Sequence, residues 1–253
     1  MIRAGPTPAG PVAKDIPAVQ SPTTAPPDPS PSSPAVVVVV VDYGAGNLRS
    51  VRRALEHAGA TVIVSAEPRV VAEAQALVLP GVGAAADTME KLRERDLVEP
   101  LLQSIGAGRL FLGVCMGMQA LFDLSEEGGS HPCLGVLPGR VVRFPAGAPV
   151  PHMGWNTIEP VGEHPLLAGL DEKEHAYFVH SYYPAPDDPT IVVAETEYGV
   201  RFPSVVAKGN VMATQFHPEK SGRAGLRIYE NFVALVREQN EAPAIATPGV
   251  HTS

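Results

Sequence analysis

Cysteine is scarce in this chain of 253 residues, and the scarcity excludes several classes of protein. Only Cys115 and Cys133 occur, so there is no Cys-x-x-Cys pair. This argues against a disulfide scaffold and a zinc knuckle, and it is typical of a protein from a reducing compartment. The eight histidines form no His-x-x-x-His pair. We therefore expect no metal ion.

Basic runs and long hydrophobic runs are also missing. No five consecutive residues are basic, and the net charge of −8 does not favour binding to nucleic acid. The N-terminus lacks the apolar segment of a signal peptide, and the apolar run at 36–41 is far shorter than a membrane span. We expect a soluble cytoplasmic protein without nucleic-acid or membrane partners.

Composition divides the chain into three parts. Residues 1–34 are dominated by proline, alanine, serine and threonine, and residues 241–253 are again rich in proline and threonine. Such segments bury too little apolar surface to offset the entropy lost on ordering. We predict two disordered tails around one domain at residues 35–240.

Strand and helix patterns alternate in the first half of this domain. Residues 36–42 are a continuous β-branched run, which suits a strand buried on both faces. Further strands are predicted at 61–64, 76–79 and 109–114, and helices at 48–55, 85–95, 97–106 and 116–124. This order predicts a parallel, doubly wound sheet.

After residue 131 the pattern changes to short strands separated by turns. The predicted strands are 139–144, 155–159, 176–181, 191–196, 204–207 and 211–216. A final helix presents an apolar face between Leu226 and Val236. The predicted fold class is α/β, with a mixed, mostly parallel central sheet flanked by helices and continued by an antiparallel extension.

Cys115 lies between Gly113 and Gly117, where a predicted strand turns into a predicted helix. A thiol at a helix N-terminus is favoured as thiolate, and the unpaired N–H groups there can receive an oxyanion. The glycines suit a turn too tight for a Cβ, as in the nucleophile elbow. The alternative for Cys115 alone is a buried structural thiol.

His217 and Glu219 supply partners for that thiol. In an extended segment, residues two apart point to the same side, and Pro218 between them fixes φ. A carboxylate beside an imidazole sets its tautomer and stabilises the imidazolium. The alternative is an exposed turn. Together with Cys115, the pair predicts acyl transfer through a thioester.

Two glycine-containing segments follow predicted strands. The N–H of Met116 and an N–H of Gly81, Val82 or Gly83 are candidate oxyanion donors, although residues 80–83 alone could be merely a tight turn. The segment at 44–46 invites a dinucleotide interpretation, but Arg49 stands where the third glycine of that fingerprint belongs. We expect no nucleotide and no other cofactor.

With these motifs, residues 36–237 resemble the class I, or triad, glutamine amidotransferases. The cysteine elbow and His-Pro-Glu occur across that superfamily. The segments GAGN at 44–47, PGVG at 80–83 and HMGWN at 152–156 are similar to those of one family within it, the glutaminase subunits of imidazole glycerol phosphate synthases. The N-terminal tail is longer than is usual in that family.

The resemblance implies a role for each matching residue. Cys115 is the nucleophile that attacks the glutamine side-chain amide, His217 is the general acid and base, and Glu219 orients His217. The glutamine pocket is formed by Gly83, Gln119, Glu127, Ser181 and Tyr182.

Other interpretations of these residues stay open. Gln119 could be an amide on a helix surface, and Glu127, our candidate for the α-amino group of glutamine, could be a solvated loop charge. His180 is interpreted as strand packing rather than as a rival base.

The resemblance also implies a partner, a cyclase (βα)₈-barrel subunit in a heterodimer. Ammonia would pass directly to this subunit, which makes imidazole glycerol phosphate and aminoimidazole carboxamide ribotide in histidine biosynthesis. Bulk release would yield mostly non-nucleophilic ammonium, because amines titrate near pH ~10. The implied partner-facing or exit-gating residues are Asn47, Trp155, Tyr177 and Lys220. For Trp155 the alternative is core packing.

Three rival functions remain. Another triad amidotransferase, such as the glutaminase half of anthranilate synthase, is disfavoured by the PGVG segment. A non-catalytic homologue that regulates a partner is disfavoured because all three triad residues are present. A cysteine peptidase of the same architecture is the third.

Overall fold

A computed structural model describes residues 35–241. Its helices are α1 (Leu48–His57), α2 (Pro68–Ala72), α3 (Ala85–Glu94), α4 (Val98–Gly106), α5 (Met116–Gln119) and α6 (Gly222–Glu241). Its strands are β1 (Val37–Val41), β2 (Thr61–Ser65), β3 (Ala76–Gly81), β4 (Leu110–Cys115), β5 (Phe122–Ser125), β6 (His131–Pro132), β7 (Leu137–Arg143), β8 (His152–Pro160), β9 (Glu174–His180), β10 (Tyr182–Pro186), β11 (Val192–Glu197), β12 (Arg201–Lys208) and β13 (Val211–Thr214). The predicted tails lie outside the described residues, apart from Glu241 at the end of α6. Among residues 35–241, no helix combines the length and the apolar character needed to cross a membrane.

The central sheet has nine strands in the order β2-β1-β3-β4-β13-β12-β11-β8-β9. The five strands from β2 to β13 run parallel to one another, and every pairing from β13 to β9 is antiparallel. The predicted α/β class, with a mixed sheet and an antiparallel extension, is confirmed. Strand β4 lies between β3 and β13, so the ends of these three strands meet at one edge of the sheet.

Strand β1 explains how the layers are held together. Val38 and Val40 pack into one apolar cluster, and Val39 and Val41 pack into another on the opposite face. Helices α1 and α6 contribute to the first cluster, and α3 and α4 contribute to the second. Because successive strand residues point to opposite faces, a continuous valine run is required where both faces are covered.

A second sheet has four strands in the order β10-β7-β5-β6. The helix predicted at 116–124 is therefore wrong beyond Gln119, since Phe122–Ser125 is strand β5. Phe122 pairs with Leu137 of β7 and is fully buried in the second cluster. This long-range pairing outweighs the local helical pattern, because propensity is a weak preference compared with tertiary packing. Strand β10 and helix α2 were not predicted.

Candidate active site

Cys115 ends β4 in a backbone conformation that few residues adopt, with φ of +55°. Such a conformation costs on the order of 1–3 kcal/mol and persists only where the surroundings impose it. A Cβ on Gly113 would lie 2.7 Å from the carbonyl oxygen of Gly117, and a Cβ on Gly117 would collide with the carbonyl oxygen of Leu79. The backbone therefore forms the predicted elbow. Helix α5 that follows is a single turn, so its contribution is oriented N–H groups rather than a long helix dipole.

His217 and Glu219 meet as predicted, but for a different reason. Nδ1 of His217 lies 2.9 Å from Oε1 of Glu219, and both side chains are almost fully buried. The predicted extended segment is wrong, because Pro218–Lys220 is a turn of 3₁₀ helix. The tight turn places the Glu219 carboxylate within hydrogen-bond distance of the His217 ring. The N–H of His217 donates to the carbonyl oxygen of Tyr177 at 3.0 Å, which fixes this turn against β9.

The pKa of His217 depends on both Cys115 and Glu219. Burial lowers its pKa, but the neighbouring Cys115 sulfur and then the Glu219 carboxylate outweigh burial and raise the pKa to about 9. Nε2 of His217 has no hydrogen-bond partner among the described residues. The sulfur and the carboxylate therefore both favour the charged form of the ring.

Tyr229 of α6 is a neighbour of Glu219 and lies on the apolar helix face predicted between Leu226 and Val236. It is fully buried. Burial, and then the charge of Glu219, raise the pKa of the Tyr229 hydroxyl well above its ordinary value. A tyrosine in an apolar helix stripe gives no signal of such a position, because only the long-range packing of α6 brings it beside the carboxylate.

A cavity of about 150 Å³ opens in front of Cys115. Cys115 and His217 line it together with all five predicted pocket residues, which are Gly83, Gln119, Glu127, Ser181 and Tyr182. Glu219 is not part of the lining. The structure thus brings the predicted nucleophile, the predicted base and the predicted substrate contacts to one small space.

The candidate oxyanion donors surround the same cavity. Val82 and Met116 line it, and Val82 is partly exposed. Gly81 is opposite Cys115 in the β3–β4 register and is packed so tightly that a Cβ there would lie 2.8 Å from the N atom of Gly117. Gly83 has φ of +90°, which favours glycine. The donor role of these peptides stays a prediction.

Gln119 does not have the surface position considered above, whereas Glu127 lies in a turn and is only partly buried, so its role stays a prediction. Gln119 is buried rather than on a helix surface, and its Nε2 donates to the carbonyl oxygen of Tyr182 at 2.8 Å. Its Oε1 has no partner among the described residues. Glu127 is half-buried, accepts a hydrogen bond from the N–H of Ala85 at 3.1 Å, and has its pKa raised by burial.

Three of the four predicted partner-facing residues form a cluster. Trp155 of β8 is 58% exposed, so its core-packing alternative is wrong. It pairs with Tyr177 of β9, and the two rings are 6.3 Å apart in a T-shaped arrangement. The Nζ atom of Lys220 lies 5.7 Å from the centre of the Tyr177 ring. Asn47 lies on a separate element, immediately before α1.

Gln215 is a further residue of the site, and no role was assigned to it from the sequence. It is fully buried, and its Nε2 donates to the Cys115 sulfur at 3.8 Å. The sequence did contain a signal, because Gln215 is in the strand predicted at 211–216 and only two residues before His217. His180 lines the cavity and is hydrogen-bonded on both ring nitrogens, which is consistent with packing rather than with a rival base.

Comparisons with known proteins agree with this geometry. The family described as "Glutamine amidotransferase class-I" matches residues 39–236. Imidazole glycerol phosphate synthase subunit HisH of Salinibacter ruber is 49% identical over 218 residues, covering 83% of this chain and 100% of that protein. HisH of Halobacterium salinarum is 52% identical over 209 residues, covering 80% of this chain and 94% of that protein.

Solved structures support the fold. PurLQS of Thermotoga maritima aligns with a TM-score of 0.65 at 19% identity, covering 80% of this chain and 99% of that chain. The glutaminase domain of Trypanosoma brucei CTPS aligns with a TM-score of 0.59 at 14% identity, covering 81% and 94%. The resemblance found in the sequence is therefore confirmed: the chain belongs to the class-I glutamine amidotransferases and, within them, to the family of imidazole glycerol phosphate synthase subunit HisH.

Proposed function

We propose that this chain hydrolyses glutamine to glutamate and ammonia as the glutaminase subunit of imidazole glycerol phosphate synthase, an enzyme of histidine biosynthesis. The observation that carries the proposal is that Cys115 and His217 line one small cavity and that Glu219 binds the His217 ring from outside the lining. An engineered apolar cavity of roughly 150 Å³ holds benzene. A glutamine side chain is of comparable size.

The first half of the reaction forms a thioester. The Cys115 sulfur attacks the amide carbon of glutamine, and the new oxyanion accepts hydrogen bonds from the N–H of Met116 and from the peptide at Gly81 or Val82. His217 then donates its proton to the amide nitrogen, the C–N bond breaks, and ammonia leaves. Removing one oxyanion donor from such a site typically costs about 10²–10³-fold in rate.

The second half releases the acid. His217, now neutral, takes a proton from water as the water attacks the thioester carbon. The C–S bond breaks, glutamate leaves, and Cys115 and His217 return to their starting charges. Throughout the cycle Glu219 holds the ring by Nδ1, so that Nε2 exchanges the proton with the reacting groups.

The ammonia is used by a partner in this proposal. We infer that the chain forms a heterodimer with a (βα)₈-barrel cyclase subunit, and that Asn47, Trp155, Tyr177 and Lys220 face that subunit or gate the exit. The exposure of the Trp155 ring and its position beside Tyr177, whose carbonyl oxygen holds the N–H of His217, support this assignment. Direct transfer keeps ammonia unprotonated until it reacts.

The nucleophile is tested by Cys115→Ala in the complex with the barrel cyclase. Glutamine hydrolysis should fall by at least about 10³-fold, because the residual rate comes only from binding and the oxyanion donors. Cys133→Ala is the matched control and should behave as the parent, since that thiol is outside the cavity lining. The measurement is glutamate formation with and without the cyclase and its nucleotide.

Supplied ammonia separates the two parts of the proposal. The Cys115→Ala complex should still form imidazole glycerol phosphate when ammonium salts replace glutamine. Glutamine hydrolysis by Cys115→Ala near the parent rate contradicts the nucleophile assignment. Failure of ammonia to restore synthesis in an intact complex contradicts the ammonia-transfer role, and peptide cleavage by the parent without a partner favours the peptidase alternative.

A further inference from the structure

A chain of buried hydrogen bonds leads from the Cys115 sulfur into the protein behind the cavity. Nε2 of Gln215 donates to this sulfur at 3.8 Å. Nε2 of Gln119 donates to Oε1 of Gln215 at 3.0 Å and to the carbonyl oxygen of Tyr182 at 2.8 Å. Both glutamines are almost fully buried, and Gln119 also lines the cavity.

The chain continues beyond the Tyr182 carbonyl through two histidines. Nδ1 of His180 lies 2.8 Å from this oxygen, and Nε2 of His180 lies 3.1 Å from Nδ1 of His152. Nε2 of His152 lies 3.1 Å from Nδ2 of Asn156. The β8–β9 register places His152 directly opposite His180, so the sheet itself sets the contact between the rings.

The Tyr182 carbonyl oxygen decides which atom donates and which accepts in each hydrogen bond from His180 to Asn156, because a carbonyl oxygen only accepts. Nδ1 of His180 must carry a proton, and in a neutral ring its Nε2 must then accept. Nδ1 of His152 must therefore donate, which leaves Nε2 of His152 to accept from Asn156. Both rings are neutral and protonated on Nδ1.

The surroundings of the two rings agree with neutrality. Burial lowers the pKa of His152 to about 4 and that of His180 to about 3. Phe178 stacks on His152 with ring centres 4.9 Å apart, and Phe202 packs edge-on against His180 at 5.2 Å. Both the burial and the aromatic neighbours therefore favour the neutral form of the two rings.

The same carbonyl oxygen decides the orientation of the side-chain amides of Gln119 and Gln215. Gln119 must point its Nε2 towards Tyr182, and the same nitrogen then requires an acceptor from Gln215. Gln215 presents Oε1 to Gln119, so its Nε2 is the atom left to face Cys115. An N–H donor stabilises an anionic sulfur more than a neutral thiol, whereas the flipped amide would place an oxygen against the sulfur and repel the anion.

We propose that Gln215 is a further catalytic residue whose amide N–H stabilises the Cys115 thiolate, and that Gln119 is a positioning residue that orients this amide. His180, supported by His152, is a positioning residue that holds in place the Tyr182 carbonyl on which Gln119 is oriented. The proposal rests on the proposed function in one respect, that Cys115 is the nucleophile. It assigns to the buried histidine pair a role in orientation and none in proton transfer.

The test is alkylation of the full chain with iodoacetamide as a function of pH, followed by mass spectrometry. A Cys133→Ala background leaves Cys115 as the reporting thiol. Gln215→Met keeps the length of the side chain and removes the donor. We expect its alkylation at pH 7 to be about tenfold slower, and the rise of the rate with pH to move upward by about one unit, because a hydrogen bond to a charged group is lost.

The groups that face the sulfur allow this profile to be interpreted. His217 is its titrating neighbour and is present in parent and variant alike. Tyr43, which burial holds at a pKa of about 12, and His180, at about 3, do not titrate between pH 5 and 10. Ser204→Ala is the matched control, since it removes a buried hydroxyl on the strand beside Gln215 without touching the sulfur, and its profile should equal the parent's.

The positioning residues are tested by a pair of variants at His180. His180→Leu removes the donor to Tyr182 and should shift the profile in the same direction as Gln215→Met. His180→Asn replaces Nδ1 with an amide nitrogen and should restore most of the parent behaviour. In the complex, Gln215→Met should lower kcat for glutamine hydrolysis more than it raises KM, because the lost bond acts on the nucleophile.

A measurement on the parent keeps the proposal testable if a variant fails to fold. Nitrogen-15 NMR of the histidine rings should find His152 and His180 both protonated on Nδ1. Finding Nε2–H at either ring overturns the proposal, and so does a folded Gln215→Met with the parent's alkylation profile. These measurements need neither glutamine nor a partner, so a parent that alkylates as expected but never hydrolyses glutamine counts against the proposed function alone.

Discussion

At the scale of single residues, the site depends on one buried carboxylate that holds a charged ring beside a sulfur. Without Glu219, the imidazolium of His217 would keep its desolvation penalty and lose the partner 2.9 Å away. Because both side chains are buried, removing one partner leaves an uncompensated buried charge, which costs more than breaking an exposed pair that contributes about 0–1 kcal/mol.

Replacing Glu219 with Gln should therefore lower the pKa of His217 from about 9, since the carboxylate is one of the groups that raise it. The measurement is an NMR pH titration of the His217 ring. Glu230→Gln is the control, because Glu230 pairs with Arg227 on the surface and should leave that titration unchanged. An unchanged pKa in Glu219→Gln would mean that Cys115 alone holds the charge.

Residue identity was predictable from the sequence wherever a local motif required it. Cys115 between its glycines and the His-Pro-Glu segment pointed to the chemistry without any coordinates. Gln215 and Tyr229 were not assigned roles, because their partners are 100 and 10 residues away in sequence and depend on how β13 and α6 pack. A side chain whose function depends on a long-range contact leaves no local pattern.

At the scale of elements, the elbow between β4 and α5 depends on a near-contact of two backbones. Gly117→Ala would drive a methyl group into the carbonyl oxygen of Leu79, and backbone cannot move aside as a flexible side chain can. The variant should lose about 1–3 kcal/mol or more of unfolding free energy and most of its glutamine hydrolysis, because β3 and α5 both shift.

Gly106→Ala is the matched control for this substitution. It is at the end of α4 with no atom within 4 Å of the added Cβ, so the change should stabilise the fold by about 0.4–1 kcal/mol. Urea denaturation followed by circular dichroism measures both variants. Equal effects of the two substitutions would show that the close approach at Gly117 is not required.

Helices and strands with a strong hydrophobic period were predicted correctly, whereas elements that depend on long-range strand pairing were not. The valine run of β1 and the apolar faces of α1 and α6 follow from burial alone. The segment at 122–125 resembled the end of a helix, and only its pairing with β7 makes it a strand. The turn at Pro218–Lys220 was mistaken for extended chain, because proline is compatible with both conformations.

At the scale of the whole molecule, a hydrophobic surface lies next to the turn that follows His217. Met153 and Trp155 of β8 are exposed, and the backbone of Tyr177 joins the Trp155 strand to His217. Exposed hydrophobic patches that contain aromatic residues are more common at interaction sites than on the rest of a protein surface. The predicted heterodimer would cover them.

If Trp155 is central in the proposed interface, Trp155→Ala should weaken the proposed complex with a barrel cyclase by about 2 kcal/mol, roughly 30-fold in Kd. Because the ring is exposed in the isolated chain, its removal should change the free energy of unfolding by less than about 0.5 kcal/mol. Isothermal titration calorimetry measures the first quantity and urea denaturation the second. Val161→Ala is the control, since Val161 is also 58% exposed but lies beyond the far end of β8, and it should bind as the parent does. If both variants bind equally well while glutamine-dependent synthesis persists, the partner must approach another face, and the ammonia exit would have to be sought away from the Trp155–Tyr177–Lys220 cluster.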